Sequence, residues 1–483
     1  LTHGNANTLL KHGTAAQIET FARPQLEGRY FGTMCLSEPQ AGSSLSDVAT
    51  RAEYEGESPL GPQYRLFGNK MWISGAQHEL SENIVHLVLA KVPDENGKLI
   101  PGVRGISLFV VPRYLVGADG VRGEHNDVAV AGLNHKMGFR GIPNALFNLG
   151  EGRHQPGGRA GAVGYRVGEL NRGLACMFHM MNEARIGVGL GGAMLGYTGY
   201  LHALDYARTR RQGRLPAAGG KEATSPQVRL VEHTDVRRML LAQKAYAEGA
   251  LALNLYCAQL VDEQRSATED ARRERVTLLL EILTPIAKSW PAQWCLEANN
   301  LAIQVHGGYG YTRDYNVEQF YRDNRLNPIH EGTNGIQALD LLGRKVVMAQ
   351  GAAFELIGAT LRQSIERAAE VPALAGYAQQ LDAALRRVEQ VTHTLWSAGD
   401  PRKTLANASL YLEAFGHLVL AWIWLEQALT AQQGRVAASA DFYRGKLQAC
   451  RYFYDFELPS IGPKLDLLAS LNTVVPDMRD EWF

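Results

Sequence analysis

The sequence is poor in cysteine, and none of its cysteines is spaced for a metal or redox site. Cys35, Cys176, Cys257, Cys295 and Cys450 are scattered and form no CxxC pair. That pattern argues against a structural zinc site or a dithiol redox centre. An odd, sparse set also argues against a disulfide framework and fits a reducing compartment. Charge of one sign is absent too, since 49 Lys plus Arg balance 49 Asp plus Glu. Zero net charge gives the whole chain no attraction to nucleic acid or to an anionic membrane, and leaves only local basic patches to consider. Long hydrophobic runs are missing. The nearest candidate, 418–425, falls far short of the ~20 residues that span a bilayer and reads as buried helix. No basic-then-apolar signal opens the chain. The first residue is Leu1 rather than Met, which also fits a product trimmed of a targeting segment.

What remains is ordinary globular material, 46% hydrophobic and 20% charged, so extensive disorder is not expected. At 483 residues the chain is too long for one core and should hold about two to four domains. Residues 1–30 read as helix, closed by Pro24 and Gly28. From Phe31 to Gly168 short apolar runs alternate with Gly, Pro, Asn and Asp, at 64–67, 70–74, 84–90, 106–111 and 145–149. These are strands with turns. Because loops rather than helical patterns separate them, a parallel βαβ sheet is disfavoured. Residues 151–161 read from composition as a flexible surface excursion.

From Leu174 the pattern turns helical. Residues 174–209 are apolar on nearly every face, as in a buried helix. Gly187, Gly189, Gly191, Gly192 and Gly196 lie within it, each costing about 1 kcal/mol against alanine. Close approach of another backbone or of a flat ligand is the expected compensation. Further helical blocks follow at 231–263, 270–306 and 333–349, then 375–456 with 353–371 leading into it. No solenoid-type repeat is present. The fold class expected is a multi-domain α+β protein, mostly α. A central antiparallel β domain lies between helical domains, with an additional helical domain at the C-terminus.

Three stretches look over-specified for packing alone. In 34–44 a strand runs into a Pro/Gly/Ser loop that presents backbone N–H groups and hydroxyls, suited to a phosphate or a heteroaromatic edge; the plainer reading is a polar turn. In 69–76 alternation puts Trp72 and Ser74 on one strand face, an indole beside a hydroxyl that suits a flat polar ring. The plainer reading there is a Trp anchoring the β core. The densest stretch is 304–337. Gly307, Gly308 and Gly310 break a helix and let a ligand approach the backbone. Glu331 then sits beside Gly332 and Thr333, just before an apolar helix from Ile336. Partial burial would raise its pKa and make it a usable base; alternatively it is a helix N-terminal carboxylate favoured by the dipole.

Together these residues resemble the acyl-CoA dehydrogenase family. Residues 34–44 resemble its flavin-contact signature ending in Glu-Pro-x-Ala-Gly-Ser, and 70–74 its second flavin strand. Residues 302–311 resemble its Gln-x-x-Gly-Gly-x-Gly turn, and 329–334 the Tyr-Glu-Gly-Thr segment with the catalytic base. The motifs occur in family order over residues 1–345. The tail beyond Ala353 resembles the larger bacterial branch. The implied layout is 1–30 as a remnant of the N-terminal helical domain, 31–170 as the flavin-contacting β domain, 171–350 as the helical bundle with the base, and 351–483 as the additional helical domain. The segment before the flavin loop is shorter than the family's usual helical domain, as in either a truncated chain or a member that departs from the pattern, and one wall of the acyl pocket is then missing from the sequence reading.

The resemblance implies α,β-dehydrogenation of an acyl-CoA thioester to the trans-2-enoyl-CoA, within fatty acid β-oxidation. FAD is the implied cofactor, with Glu331 removing the α proton and flavin N5 accepting the β hydride. The Glu331 N–H, with a flavin hydroxyl, would polarise the thioester carbonyl. His330 stands where the family often has Tyr, and is expected either to tune Glu331 or to pack. Some relatives place the base just before an arginine on the earlier helix. Here Ala184 precedes Arg185, and Glu183 should face elsewhere, which leaves Glu331. Arg185 is implied to position the base loop, or to form an ion pair in the helix interior. Leu36, Ser37, Gly42, Ser43, Trp72 and Ser74 match flavin and diphosphate contacts. Arg210, Gln212, Gln304, Gly307 and Gly308 match an adenosine contact shared across a dimer, and Thr333 and Asn334 follow the base. No metal is implied. A homodimer or dimer of dimers follows, with an electron-transfer flavoprotein as acceptor, no nucleic acid and no integral membrane association. The implied compartment is the bacterial cytoplasm, or the mitochondrial matrix in a eukaryote. An acyl-CoA oxidase on the same fold, or a flavin-bound DNA-associated member, are the alternatives; zero net charge and an intact Glu331 argue against the second. Met177, Met180 and Met181 are either flexible pocket lining or core; the branch resemblance implies short or medium acyl chains.

Overall fold

The strand-rich and helix-rich halves of the sequence form two units in the computed structural model, Leu1–Ala184 and Arg185–Phe483. The structure describes residues 1–117, 120–216, 220, 224–434 and 440–483. In the first unit α1 (Thr2–His12) precedes ten strands. These are β1 (Tyr30–Cys35), β2 (Arg51–Ser58), β3 (Gly61–Ser74), β4 (Asn83–Lys91), β5 (Ile106–Pro112), β6 (Tyr114–Val116), β7 (Arg122–His125), β8 (Val128–Leu133), β9 (Asn144–Leu149) and β10 (Ala162–Val167). Seven run in the order β1-β4-β5-β10-β3-β9-β8, with β2 paired to β3 and β4, while β6 and β7 form a separate ribbon. Every residue of β4 and β5 is buried, as their continuous apolar runs require of central strands.

The sheet is antiparallel, as expected, except at one edge. Strand β1 runs parallel to β4, from Tyr30 opposite Asn83 to Cys35 opposite Val88, and Arg51 bridges Lys91 in the same sense. A parallel pair needs a long crossover, but that crossover need not be helical. Here the β2–β3 hairpin supplies it. Helix α1 secures the parallel pair, since buried Asn5 Nδ2 donates to Thr33 O and Val85 O, both at 2.9 Å. The segment 151–161 is not the loose excursion its composition suggested. Arg65 Nη1 donates to Pro156 O and Gly161 O at 2.9 and 3.1 Å, and Asp127 Oδ2 accepts from the Gly152 and Gly161 amides at 2.7 and 2.9 Å.

Helix α2 (Gly173–Thr209) begins in the first unit and continues into the second. There follow α3 (Thr234–Ser266), α4 (Asp270–His306), α5 (Val317–Asn324), α6 (Asn334–Asp340), α7 (Ala352–Ala369), α8 (Ala375–Ser397), α9 (Ala408–Gly434), α10 (Ala440–Tyr452) and α11 (Ile461–Ala469). One hydrophobic core runs from Ala193 through Ile286 and Trp290 of α4 to Phe415 and Trp424 of α9 and on to Leu468. Residues beyond 350 therefore share a core with the bundle, and α9 packs directly on α6. Helix α9 is long and apolar enough to cross a membrane, but 83% of its apolar window is buried inside the protein.

The glycines of α2 have the expected compensation at their inner positions. A Cβ on Gly189 would lie 1.9 Å from Ala287 O, and one on Gly196 2.6 Å from Cys295 Cβ. The partner is therefore the backbone of α4. That helix contains Pro285 and Pro291. Pro291 has no N–H to give Ala287 O its helical bond, and the Gly189 backbone sits against that carbonyl.

Candidate active site

In the first unit the loop after β1 is held by a buried ion pair. Lys70 Nζ donates to Glu38 Oε1 at 2.8 Å, to Leu36 O at 3.1 Å and to Leu89 O at 2.7 Å. Glu38 also accepts from the Ala49 amide at 2.7 Å and from Thr50 Oγ1 at 2.6 Å. Burial opposes ionisation of Glu38, yet Lys70 and these donors hold its pKa below the ordinary carboxylate value. Burial lowers the Lys70 pKa, and Glu38 opposes that. The loop is tied again where Met71 N donates to Ser37 O at 2.9 Å. Leu36 is buried, Ser37 half-buried, and Gly42 and Ser43 are exposed.

Strand β3 does not keep simple alternation at its end. Its register with β9 shifts between Lys70 and Ile73, and Trp72 takes a left-handed φ of 66°. Trp72 is 60% exposed, so it does not anchor the core; the bulge presents the indole outward. Ser74 Oγ accepts from Asn144 Nδ2 at 3.1 Å. Glu183 accepts from Asn7 Nδ2 at 3.1 Å, within the first unit. Met177 and Met180 are core, with Met181 packed against them.

In the second unit Thr333 caps α6 by accepting from the Ile336 amide at 3.3 Å. Pro328 O accepts from Asn334 N at 3.0 Å. The turn before the cap is left-handed at two successive residues, Glu331 (φ 53°) and Gly332 (φ 85°). Both of their carbonyls are taken by side chains. Gln337 Nε2 donates to Glu331 O at 3.0 Å, and Lys288 Nζ donates to Gly332 O at 2.7 Å. A Cβ on Gly332 would come within 2.5 Å of Gln337 Nε2, which together with its positive φ requires glycine there.

Arg185 is 4% exposed and pairs through Nη1 with Asp340 Oδ2 at 3.2 Å. The α2–α4 approach at Gly189 lies one turn from Arg185 and next to Lys288, so it brings two cations towards the Glu331 turn. Burial raises the Glu331 pKa, while Arg185 and then Lys288 act against the rise. Burial pushes Lys288 down to about 8, opposed by Glu331. His330 is driven by burial, and then by Lys288, down to about 4, so it is neutral at pH 7. Its Nε2 lies 3.0 Å from Asn327 Oδ1. Asn327 Nδ2 donates to Asn324 Oδ1 at 2.8 Å, and Asn324 Nδ2 to Asn299 Oδ1 at 2.7 Å. This run of amides leaves Oδ1 of Asn327 as acceptor and assigns the proton of His330 to Nε2.

A separate groove of about 510 Å³ is lined by Tyr206, Arg210, Gln212, His306, Gly307 and Gly308, among others. Its lining does not include Glu331. The Arg210 guanidinium lies 5.7 Å from the Tyr309 ring. Gly307 has φ 63°, and Cβ atoms on Gly307 or Gly308 would meet nothing within 4 Å, so that backbone is open to a ligand. Gln304 is exposed on the last turn of α4, just outside this lining. The structure thus collects Arg210, Gln212, Gly307 and Gly308 at one place, and Arg185, His330, Glu331, Thr333 and Asn334 near another. The sequence reading missed Glu38 as the partner of Lys70, and it missed Lys288 and Gln337. The available signal for Lys288 was a lone cation in the apolar run 286–292.

Residues 171–346 match the family model "Acyl-CoA dehydrogenase, C-terminal domain", and 354–479 match "Acetyl-CoA dehydrogenase C-terminal like". The chain is 37% identical to the 3-methylmercaptopropionyl-CoA dehydrogenase of Ruegeria pomeroyi over 94% of this chain and 74% of that one. It is 32% identical to a butyryl-CoA dehydrogenase of Syntrophomonas wolfei over 100% of this chain and 78% of that one. Among solved structures, Caenorhabditis elegans ACDH-11 in complex with C11-CoA superposes with a TM-score of 0.77 at 19% identity, covering 100% of this chain and 72% of that one. An acyl-CoA dehydrogenase complexed with FAD from Bacillus anthracis gives 0.73 at 17%, covering 99% and 76%. The chain belongs to the acyl-CoA dehydrogenase family. It is an FAD-dependent oxidoreductase of that class.

Proposed function

We propose that this protein removes the α and β hydrogens of a short acyl-CoA thioester to give the trans-2-enoyl-CoA, with Glu331 as the base. The observation that carries the assignment is the Glu331 turn itself. A carboxylate with a raised pKa, faced by two buried cations, stands on a backbone captured at both carbonyls. Bound FAD supplies the acceptor for the hydride. Glu331 takes the α proton onto its carboxylate, while Arg185 and Lys288 keep a usable fraction of it ionised. The Glu331 N–H donates to no acceptor among the described residues, which leaves it for the thioester oxygen where enolate charge develops. Neutral His330 adds no positive charge beside the base.

The residues present fit an anionic dinucleotide. Arg210 and the bare Gly307–Gly308 backbone suit a diphosphate, with Gln212 and Gln304 at the margin. Asn334 Oδ1 is buried without a partner among the described residues, an acceptor left for a ligand. In the first unit, taken by itself, this reading assigns flavin contacts to Leu36, Ser37, Gly42, Ser43, Trp72 and Ser74. Arg210→Ala should lower the FAD retained after gel filtration, read as the ratio of flavin to protein absorbance; an unchanged ratio removes Arg210 from the site. A homodimer is supported by Leu190, Met194 and Leu201, exposed at 37%, 42% and 45% along one face of α2. An electron-transfer flavoprotein is the proposed acceptor of the electron pair, and the bacterial cytoplasm the proposed compartment. All five cysteines are free and buried.

The short acyl group is the finer part of the reading, supported by the relatives named for 3-methylmercaptopropionyl-CoA and butyryl-CoA. The test is an anaerobic titration of the holoenzyme with those two thioesters and longer homologues, following the flavin band. Bleaching by a short thioester is the expected result, and bleaching only by long chains would overturn the substrate class. Oxygen consumption during turnover without added electron-transfer flavoprotein would instead show an oxidase.

A further inference from the structure

We propose that Lys288 and Gln337 are positioning residues, a two-point clamp on the backbone of the Glu331 turn that sets the direction of the carboxylate. The inference rests on reading Glu331 as the base. Two left-handed residues in succession point their carbonyls away from any helical donor. Each is met by a fully buried side chain (Lys288 and Gln337 are both 0% exposed) from a different helix. Gln337 Nε2 holds Glu331 O at 3.0 Å, and Lys288 Nζ holds Gly332 O at 2.7 Å. The two anchors hold successive peptides, Glu331–Gly332 and Gly332–Thr333, so the planes on both sides of the Gly332 Cα are fixed, where a single anchor would leave one free to rotate.

Neither anchor is explained by ordinary packing. A buried lysine is normally neutralised by a hydrogen-bonded carboxylate. Lys288 has no such bond among the described residues, and its one hydrogen bond goes to the Glu331 turn. The far end of Gln337 is unsatisfied, with Oε1 buried and without a partner among the described residues. The reversed amide would set that oxygen against Glu331 O, so the orientation is fixed by the turn. Lys288 is in turn located by the close α2–α4 approach at Gly189 and Ala287.

Within the second unit, the charged and titratable groups near Glu331 besides Lys288 are these. Arg185 comes from α2 and is committed to Asp340 at the end of α6, which also binds Arg344 at 2.7 Å. Lys345 pairs with Glu281 of α4, and His330 is neutral on the same turn. Removing Lys288 therefore withdraws a cation that no neighbour replaces.

The test uses the holoenzyme, its Lys288→Met, Gln337→Met and Glu331→Gln variants, and butyryl-CoA or 3-methylmercaptopropionyl-CoA in anaerobic stopped flow. Both clamp variants should keep FAD and leave KM within about threefold of the parent. Both should bleach about 10- to 100-fold more slowly at saturation, the scale of a misplaced reacting group. Lys288→Met should also move the acid limb of the rate–pH profile to higher pH, because losing a nearby cation favours the neutral carboxyl. Gln337→Met changes no charge and should leave the limb in place, a contrast that general loosening of the fold would not produce. Parent-like rates in both variants overturn the clamp alone. If Glu331→Gln bleaches as fast as the parent, or the parent bleaches with neither thioester, the base reading falls and the clamp with it. Should Lys288→Met fail to fold with FAD, Gln337→Met decides by the same criterion of slowed bleaching at unchanged KM.

Discussion

Glu331→Gln is expected to keep FAD bound and to lose acyl-CoA turnover by about 10²- to 10⁴-fold, the contribution of a positioned general base. Glutamine keeps the volume of the side chain and can still occupy the turn, so the loss should fall on the chemical step rather than on binding. The measurement is the rate of flavin bleaching at saturating thioester, with KM recorded beside it. The pH dependence supplies a second readout. The parent rate should fall as pH drops through the raised Glu331 pKa, because only the ionised carboxylate accepts a proton. That limb should vanish from whatever activity the variant retains. Near-parental bleaching would remove Glu331 from the base role.

The second large effect concerns Lys70. Lys70→Met should destabilise the holoenzyme by about 3–5 kcal/mol, the usual cost of leaving one member of a buried ion pair uncompensated. Methionine fills the space but offers nothing to Glu38, Leu36 O or Leu89 O. Glu38 then takes up a proton or draws in water, and the loop carrying Leu36 and Ser37 loses its tether. The acid dependence follows from the sign of the shift. Because the folded-state pKa of Glu38 is depressed, its contribution is present at neutral pH and is lost as pH falls through the folded value. The variant should therefore show less acid sensitivity than the parent. Chemical denaturation of the FAD-loaded proteins at neutral and acid pH measures both effects; an unchanged midpoint at neutral pH would mean that the pair contributes nothing.

The helix–strand–helix order was legible because apolar period and turn residues change sharply near Phe31 and again near Gly173. The site motifs were legible as clusters of glycine and polar residues that core packing does not need. Strand β2, Arg51–Ser58, was missed because its residues are mostly charged or polar and its burial is slight. The parallel β1–β4 pair was missed because pairing direction depends on which strands meet, and local pattern does not encode that. Trp72 was placed by alternation, and a bulge broke the alternation. Lys288 looked like one lysine in a long helix. Its role emerges only where α2, α4 and the turn before α6 converge, contacts that are far apart in sequence.

The packing of α9 on α6 has a consequence for the order in which the molecule can be finished. A chain is made from its N-terminus, and segments settle as their partners emerge. The turn with Glu331 leaves the ribosome well before Ala408–Gly434, against which its following helix rests. Until that late segment arrives, the face of α6 that it will cover has no partner, and neither does Trp290, whose indole meets Gly416 and His417 of α9. The region beyond 350 thus completes the packing around the Glu331 turn last, and a nascent chain stalled before it would hold that turn without its backing.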